Sequence, residues 1–246
     1  MNDASCCIPG NHGHVMCAGG RLLPHQIYET FFALSGGASG KIVVVPSASP
    51  SYTQEQEPEV RSAWGELGDH ISVFHINSRA EATALADAIE SATGVWFRGG
   101  NQRILSERIV GTEAEEAILR LVFERHGICG GSSAGASFQG ETMIAGEDEQ
   151  DVPYTGTGLS WPIPWIPEPH LDGRNRRPRL EAVLKTRPGR FGLGIDEYTA
   201  VVVAMGQFTD GPAVVESILG TGGCYIFRLM GNSVVEKSLT VGAALV

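Results

Sequence analysis

The chain is poor in the features that mark disulfide scaffolds, membrane spans and nucleic-acid binders. Its 246 residues hold only five cysteines. Cys6, Cys7, Cys17, Cys129 and Cys224 are odd in number and lack the spacing of a disulfide framework, which points to a reduced, cytoplasmic protein. Basic residues are scarce: 18 Lys and Arg stand against 28 Asp and Glu, and the net charge of −10 argues against nucleic acid or an anionic membrane as partner. No apolar run is long enough to cross a bilayer. Residues 1–13 have neither a basic n-region nor an apolar h-region and are expected to form a loose arm. Cys6, Cys7, His12, His14 and Cys17 gather there without Cys-x-x-Cys spacing, and Val15–Cys17 reads as a first strand. No metal and no cofactor are therefore expected.

Glycine, by contrast, is plentiful at 32 residues, in keeping with many tight βα turns. Apolar strands are expected near Val15–Ala18, Ile42–Val45, Ile71–Phe74, Val95–Phe97 and Gly127–Cys129. Amphipathic stretches at Leu23–Leu34, Glu59–Leu67 and Ala80–Glu90 separate them, and Thr112-x-x-Glu115 reads as a capping-box start to a helix ending near His126. This βαβα rhythm predicts an α/β fold, a doubly wound, mostly parallel sheet with helices on both faces, in one domain over residues 14–246. After Gln139 the rhythm yields to a polar, Pro/Gly-rich segment reaching Arg174, too long for an ordinary connection and expected to be functional. The tail reads as four strands, Thr199–Met205, Ala213–Ile218, Gly223–Leu229 and Ser233–Leu239, whose short turns predict antiparallel pairing.

Chemistry concentrates at Gly131-x-Ser133-x-Gly135, between the apolar run Gly127–Cys129 and a segment that reads as helical. The spacing matches a nucleophile elbow, whose small flanking residues let the chain turn sharply and leave the hydroxyl exposed above the sheet. Gly-rich strand-to-helix turns also bind phosphate or simply allow tight packing. A serine needs a general base, and His170 is the one histidine after Ser133, in a Pro-punctuated segment expected to be loop rather than core. A lone loop histidine is otherwise a solvated side chain. Asp196 and Glu197 interrupt a β-like apolar run and are candidates for the orienting acid or for plain turn formers.

These segments carry a resemblance. Gly-Gly-x-Ser133-Ala-Gly-Ala, His170-x-x-x-Arg174-x-Arg176-x-x-Arg179-Leu180, Gly194-Ile-Asp-Glu197-x-Thr-Ala and Trp96-Phe-Arg-Gly99-Gly100-Asn-Gln102 follow in order the signatures of cyanophycinases. Those serine peptidases are related to dipeptidase E and share the flavodoxin-like, class I glutamine-amidotransferase-like fold. The resemblance implies Ser133 as nucleophile, His170 as base and Glu197 as the acid. It implies the Gly99, Gly100 and Ala134 amides as oxyanion donors, and Gln102, Arg174, Arg176 and Arg179 as substrate contacts. By family analogy it also implies a homodimer. Where cyanophycinases carry Asp-Gln before the histidine, this chain has Glu168-Pro169, preceded by Trp161-Pro-Ile-Pro-Trp165, and by the resemblance both changes fall where the substrate should lie. Glu168 keeps a carboxylate there with a reach longer by one methylene, and is expected as a further substrate contact facing a cationic group.

Charge distribution supports an anionic ligand. Arg174, Arg176, Arg177, Arg179, Lys185, Arg187 and Arg190 stand against one acid, Glu181, in a chain that is acidic elsewhere. Arg177, Lys185 and Arg187 fall outside the family spacing and are expected on a solvated helix face. The leading expectation is a serine peptidase acting on β-aspartyl or aspartyl peptides, cyanophycin or its dipeptides included. An α/β-hydrolase esterase using Asp148 or Asp151 as acid, and a non-catalytic binding protein on the same fold, are the competing readings.

Overall fold

The computed structural model describes residues 12–206 and 213–245. Most of the expected N-terminal arm, with Cys6 and Cys7, lies outside the described residues; Gly13 already belongs to the first strand. The first half alternates as expected: β1 (Gly13–Ala18), α1 (His25–Leu34), β2 (Ile42–Val45), α2 (Glu57–Ser62), β3 (Ile71–Val73), α3 (Ala82–Glu90), β4 (Gly94–Phe97), α4 (Gln102–Ile109), α5 (Glu113–Phe123), β5 (Ile128–Ser132) and α6 (Ala134–Ser137). The second half contains β6 (Thr142–Glu147), β7 (Pro153–Thr157), β8 (Trp165–Pro169), α7 (Arg177–Thr186), β9 (Phe191–Ile195), β10 (Thr199–Met205), β11 (Val214–Gly220), β12 (Cys224–Met230) and β13 (Ser233–Ser238).

The main sheet has the order β11-β10-β1-β5-β4-β2-β3. Its five strands from β1 to β3 are mutually parallel, and β10 and β11 add an antiparallel edge. Counted from β2, the parallel strands lie 2-1-3-4, and β1 takes the fifth place, which gives the flavodoxin-like arrangement. Strands buried on both faces read as unbroken apolar runs, as in Ile-Val-Val-Val of β2. Alternate residues of that run feed two cores: Val43 and Val45 pack toward α3 and α5, Ile42 and Val44 toward α1 and Trp64.

Several expectations need correction. The expected functional loop from Gln139 to Arg174 holds three strands, and the Pro-punctuated segment before His170 is β8, fully buried. Pro167 and Pro169 fit because β8 is the edge of a second sheet, ordered β13-β12-β9-β8. The tail strands pair antiparallel as expected, β10 with β11 at the edge of the main sheet and β12 with β13 beside β9 in the second sheet. Trp161 and Trp165 are core, donating from their indoles to the side chain and carbonyl of Gln139, and do not face a substrate. The capping box at Thr112 does not form. Thr112 donates to the Ile109 carbonyl at 2.6 Å, and Glu115 turns away to accept from Gly111 N and from Ser160.

Candidate active site

Parallel strands deliver their C-terminal ends to one edge of a sheet, and the turns leaving that edge collect the polar groups. Ser133 leaves β5, Gly20 and Arg21 leave β1, Gly99 leaves β4, and Glu197 lies between β9 and β10. His170 follows the last residue of β8, whose Pro169 is in register with Ile195 of β9. Two sheets thus meet at one edge, which is how residues far apart in sequence come together.

Ser133 has φ 53° and ψ −112°, a conformation few non-glycine residues adopt. Its backbone is held there from three sides: Ser133 N donates to Ala18 O at 3.0 Å, and Ser133 O accepts from Ala136 and Ser137. Gly135 permits the turn, since a Cβ there would lie 2.1 Å from Phe97 O. Ser133 Oγ lies 2.9 Å from His170 Nε2, and His170 Nδ1 lies 2.7 Å from Glu197 Oε1. His170 itself is at φ 55°, pinned by its N–H to Gly19 O. Gly20 shields the other side of the ring; a Cβ there would sit 2.5 Å from His170 Cε1.

Arg21 is a site residue that no motif marks. Its Nε donates to both oxygens of Glu197, at 3.1 and 3.2 Å. Burial opposes ionisation of Glu197, but the hydrogen bonds from His170 and Arg21 outweigh it and hold the carboxyl below its usual range. Asp196 serves the fold instead, accepting from Asp172 N and Gly223 N. Asp148 accepts from Gln150 and Val152 in the β6–β7 turn, and Asp151 lies in that same turn, so neither orients His170. The α/β-hydrolase arrangement is therefore not formed.

The amides of Gly99, Gly100 and Ala134 donate to no backbone carbonyl among the described residues. A Cβ on Gly99 would touch Ser133 Cβ at 3.3 Å, so this turn passes directly over the hydroxyl. The helix after Ser133 is a single turn, shorter than expected, so electrostatic help would come from individual N–H groups more than from an axial dipole.

Most of the expected substrate contacts are engaged elsewhere. Gln102 donates its amide to Ile144 O at 2.7 Å. Glu168 is fully buried, with Arg179 on both of its oxygens at 2.7 and 3.0 Å and Arg176 at 3.2 Å. Burial pushes the Glu168 carboxyl up, against the pull of Arg179, and pushes Arg176 down to about 10. Arg176 also donates to Pro169 O, so the carboxylate–guanidinium cluster locks β8 to α7. Arg177, expected in solvent, pairs with Glu236 and Asp172 and lies over the Tyr225 ring. Only Arg174 of the expected set lines the cavity of about 900 Å³ that opens onto Ser133 and His170.

Two predictions follow from these placements. Arg179→Ala is expected to destabilise the fold, not to weaken substrate binding, because it strips one partner from a buried carboxylate. The cost is about 3 kcal/mol, or roughly 6–12 °C in Tm by calorimetry, with KM little changed. The second concerns pH. Burial lowers the His170 pKa below the ordinary imidazole value of 6.5, the Glu197 bond pulls against it, and the Arg174 and Arg176 charges add to the lowering. A base must be neutral, so the acid limb of kcat/KM should fall below pH 6.5. Arg174→Gln should move that limb upward; a downward shift would contradict the assignment.

Fold and site together define an α/β protein with a serine on a strand-to-helix turn, hydrogen-bonded in sequence to a histidine and an acid. Within that class the chain belongs to Peptidase family S51, whose profile matches residues 19–210. It is 30% identical over 209 residues to the cyanophycinase of Synechococcus elongatus, covering 78% of this chain and 63% of that one. It is 31% identical over 192 residues to the cyanophycinase of Trichormus variabilis, covering 72% and 62%. The match thus spans less than two thirds of the length of these relatives. The crystal structure of a peptidase from an acI-B1 Actinobacterium shares the fold, with a TM-score of 0.66 at 17% identity over 95% of this chain and 96% of that one.

Proposed function

We propose that the protein is a serine peptidase that hydrolyses small β-aspartyl or aspartyl peptides through an acyl-enzyme on Ser133. The observation that carries this is the unbroken hydrogen-bond chain Ser133–His170–Glu197, with an acid held ionised at its far end. Ser133 Oγ attacks the scissile carbonyl while His170 Nε2 takes its proton. The Gly99, Gly100 and Ala134 amides receive the oxyanion. His170 then returns the proton to the leaving amine, and water, activated by the same imidazole, releases the acid and restores Ser133. Glu197 steadies the imidazolium at each stage, and Arg21 steadies Glu197.

Family membership supports the peptidase chemistry, and the relatives' name supports the aspartyl class, with cyanophycin and its dipeptides within it. Beyond the reacting centre the cavity wall includes Leu22, Leu23 and Trp64. Such an apolar wall supports tolerance of the residue released. Assaying β-Asp-Arg, β-Asp-Lys, β-Asp-Leu and α-linked Asp peptides tests this. Turnover is expected to need the aspartyl half and to vary less with its partner; strict dependence on arginine, or indifference to replacing aspartate by alanine, would overturn it. We propose further a cytoplasmic homodimer: buried free Cys17, Cys129 and Cys224 are in keeping with a reducing compartment, and sedimentation would read the assembly.

A further inference from the structure

The cavity in front of Ser133 contains a guanidinium that no other described residue pairs with. Arg98 is the residue before Gly99 on the turn from β4 to α4, half-buried, and it lines the cavity with Ser133 and His170. Its backbone is fixed by a 3.0 Å bond from Arg98 N to Val45 O. No acceptor among the described residues takes a hydrogen bond from its side chain. Its neighbours in type behave differently: Arg21 holds Glu197, Arg176 and Arg179 hold Glu168, and Arg190 holds Glu141. Arg174 also lacks a side-chain partner among the described residues, but it is exposed on the turn after His170. A half-buried, unpartnered cation gives the free protein nothing in return for its partial desolvation, and such locally unfavourable groups belong to functional surfaces.

Tyr28 stands in the same condition. It lines the same cavity, and its hydroxyl has no hydrogen-bond partner among the described residues. Burial raises its pKa and the Arg98 charge pulls against that, so the two groups are within electrostatic reach. The ring is held against Trp64 at 4.8 Å and Trp96 at 5.9 Å between centroids, which fixes where the hydroxyl points. A planar guanidinium fork and a phenolic donor on a rigid aromatic base match the two oxygens of a carboxylate.

We propose that Arg98, with the Tyr28 hydroxyl, anchors a free carboxylate of the substrate and sets the preference for acidic peptides, taking over what Arg176 and Arg179 cannot do. In a β-linked aspartyl peptide that carboxylate is the α-carboxylate beside the scissile amide. The inference rests on the peptidase reading above, and binding to a Ser133→Ala protein separates the two. Calorimetry on the 246-residue Ser133→Ala chain compares β-Asp-Leu with the same peptide carrying an α-carboxamide. The acid is expected to bind roughly tenfold to a hundredfold more tightly than the amide. Adding Arg98→Gln should bring the two affinities together, Arg98→Lys should restore part of the gap, and Tyr28→Phe should narrow it. Arg98→Gln should leave Tm unchanged or raised, since it breaks no bond within the chain. Equal binding of acid and amide, no detectable binding, a gap that survives Arg98→Gln but falls with Arg174→Gln, or a marked drop in Tm would each overturn the assignment. Failure of the peptidase reading looks different: wild-type protein that resists a fluorophosphonate and turns over no peptide, whatever the calorimeter shows.

Discussion

Ser133→Ala is expected to lower kcat/KM by about 10⁴ to 10⁶ while leaving the fold intact. Among the described residues the hydroxyl makes one hydrogen bond, to His170 Nε2, and its removal leaves the backbone bonds that hold the turn in place. Ser132→Ala should retain most activity, because Ser132 is the last residue of β5 and makes no bond to His170. Steady-state kinetics with circular dichroism on both variants checks this. Inactivation by Ser132→Ala with activity surviving in Ser133→Ala would put the elbow in the wrong register.

Glu197→Gln should cost about 10⁴ in turnover with little loss of stability. Glu197 accepts from two donors, His170 Nδ1 and Arg21 Nε. A glutamine has one acceptor oxygen to offer: its NH₂ would face Arg21 Nε at either carboxylate position, and His170 Nδ1 as well at that of Oε1. Facing His170, that NH₂ would force Nδ1 to accept and Nε2 to carry the proton, leaving no base for Ser133. Asp196→Asn should be far milder on chemistry, since among the described residues its carboxylate accepts from the Asp172 and Gly223 amides and not from His170. Equal rate losses at 196 and 197 would remove the case for Glu197 as the orienting acid.

The parallel half of the fold was legible because its inner strands are buried on both faces and each helix on one, so period and turn agree. The elbow, His170 and Glu197 were legible because they carry local motifs in a fixed order. What the sequence hid depends on partners far along the chain. Prolines 167 and 169 spoke for a loop, and only the edge position of β8 makes them compatible with a buried strand. The cluster of arginines after His170 spoke for an anion site, yet Glu168, Glu147, Glu141, Asp172 and Glu236 neutralise most of it. Ion pairing between residues as far as 59 positions apart, outside any helical spacing, leaves no local signature. Arg21 and Arg98 were missed for the converse reason: each sits beside a glycine turn at a strand end, and nothing in residue type distinguishes a cation there from one in solvent.

The central claim is that Ser133, activated by His170 and Glu197, is the nucleophile. Its most direct measurement is fluorophosphonate labelling followed by intact mass and peptide mapping. One adduct on Ser133 is expected in the wild type, greatly slowed labelling in His170→Ala and Glu197→Gln, and none in Ser133→Ala. A folded wild-type protein that stays unlabelled, or an adduct that persists in Ser133→Ala, would contradict it.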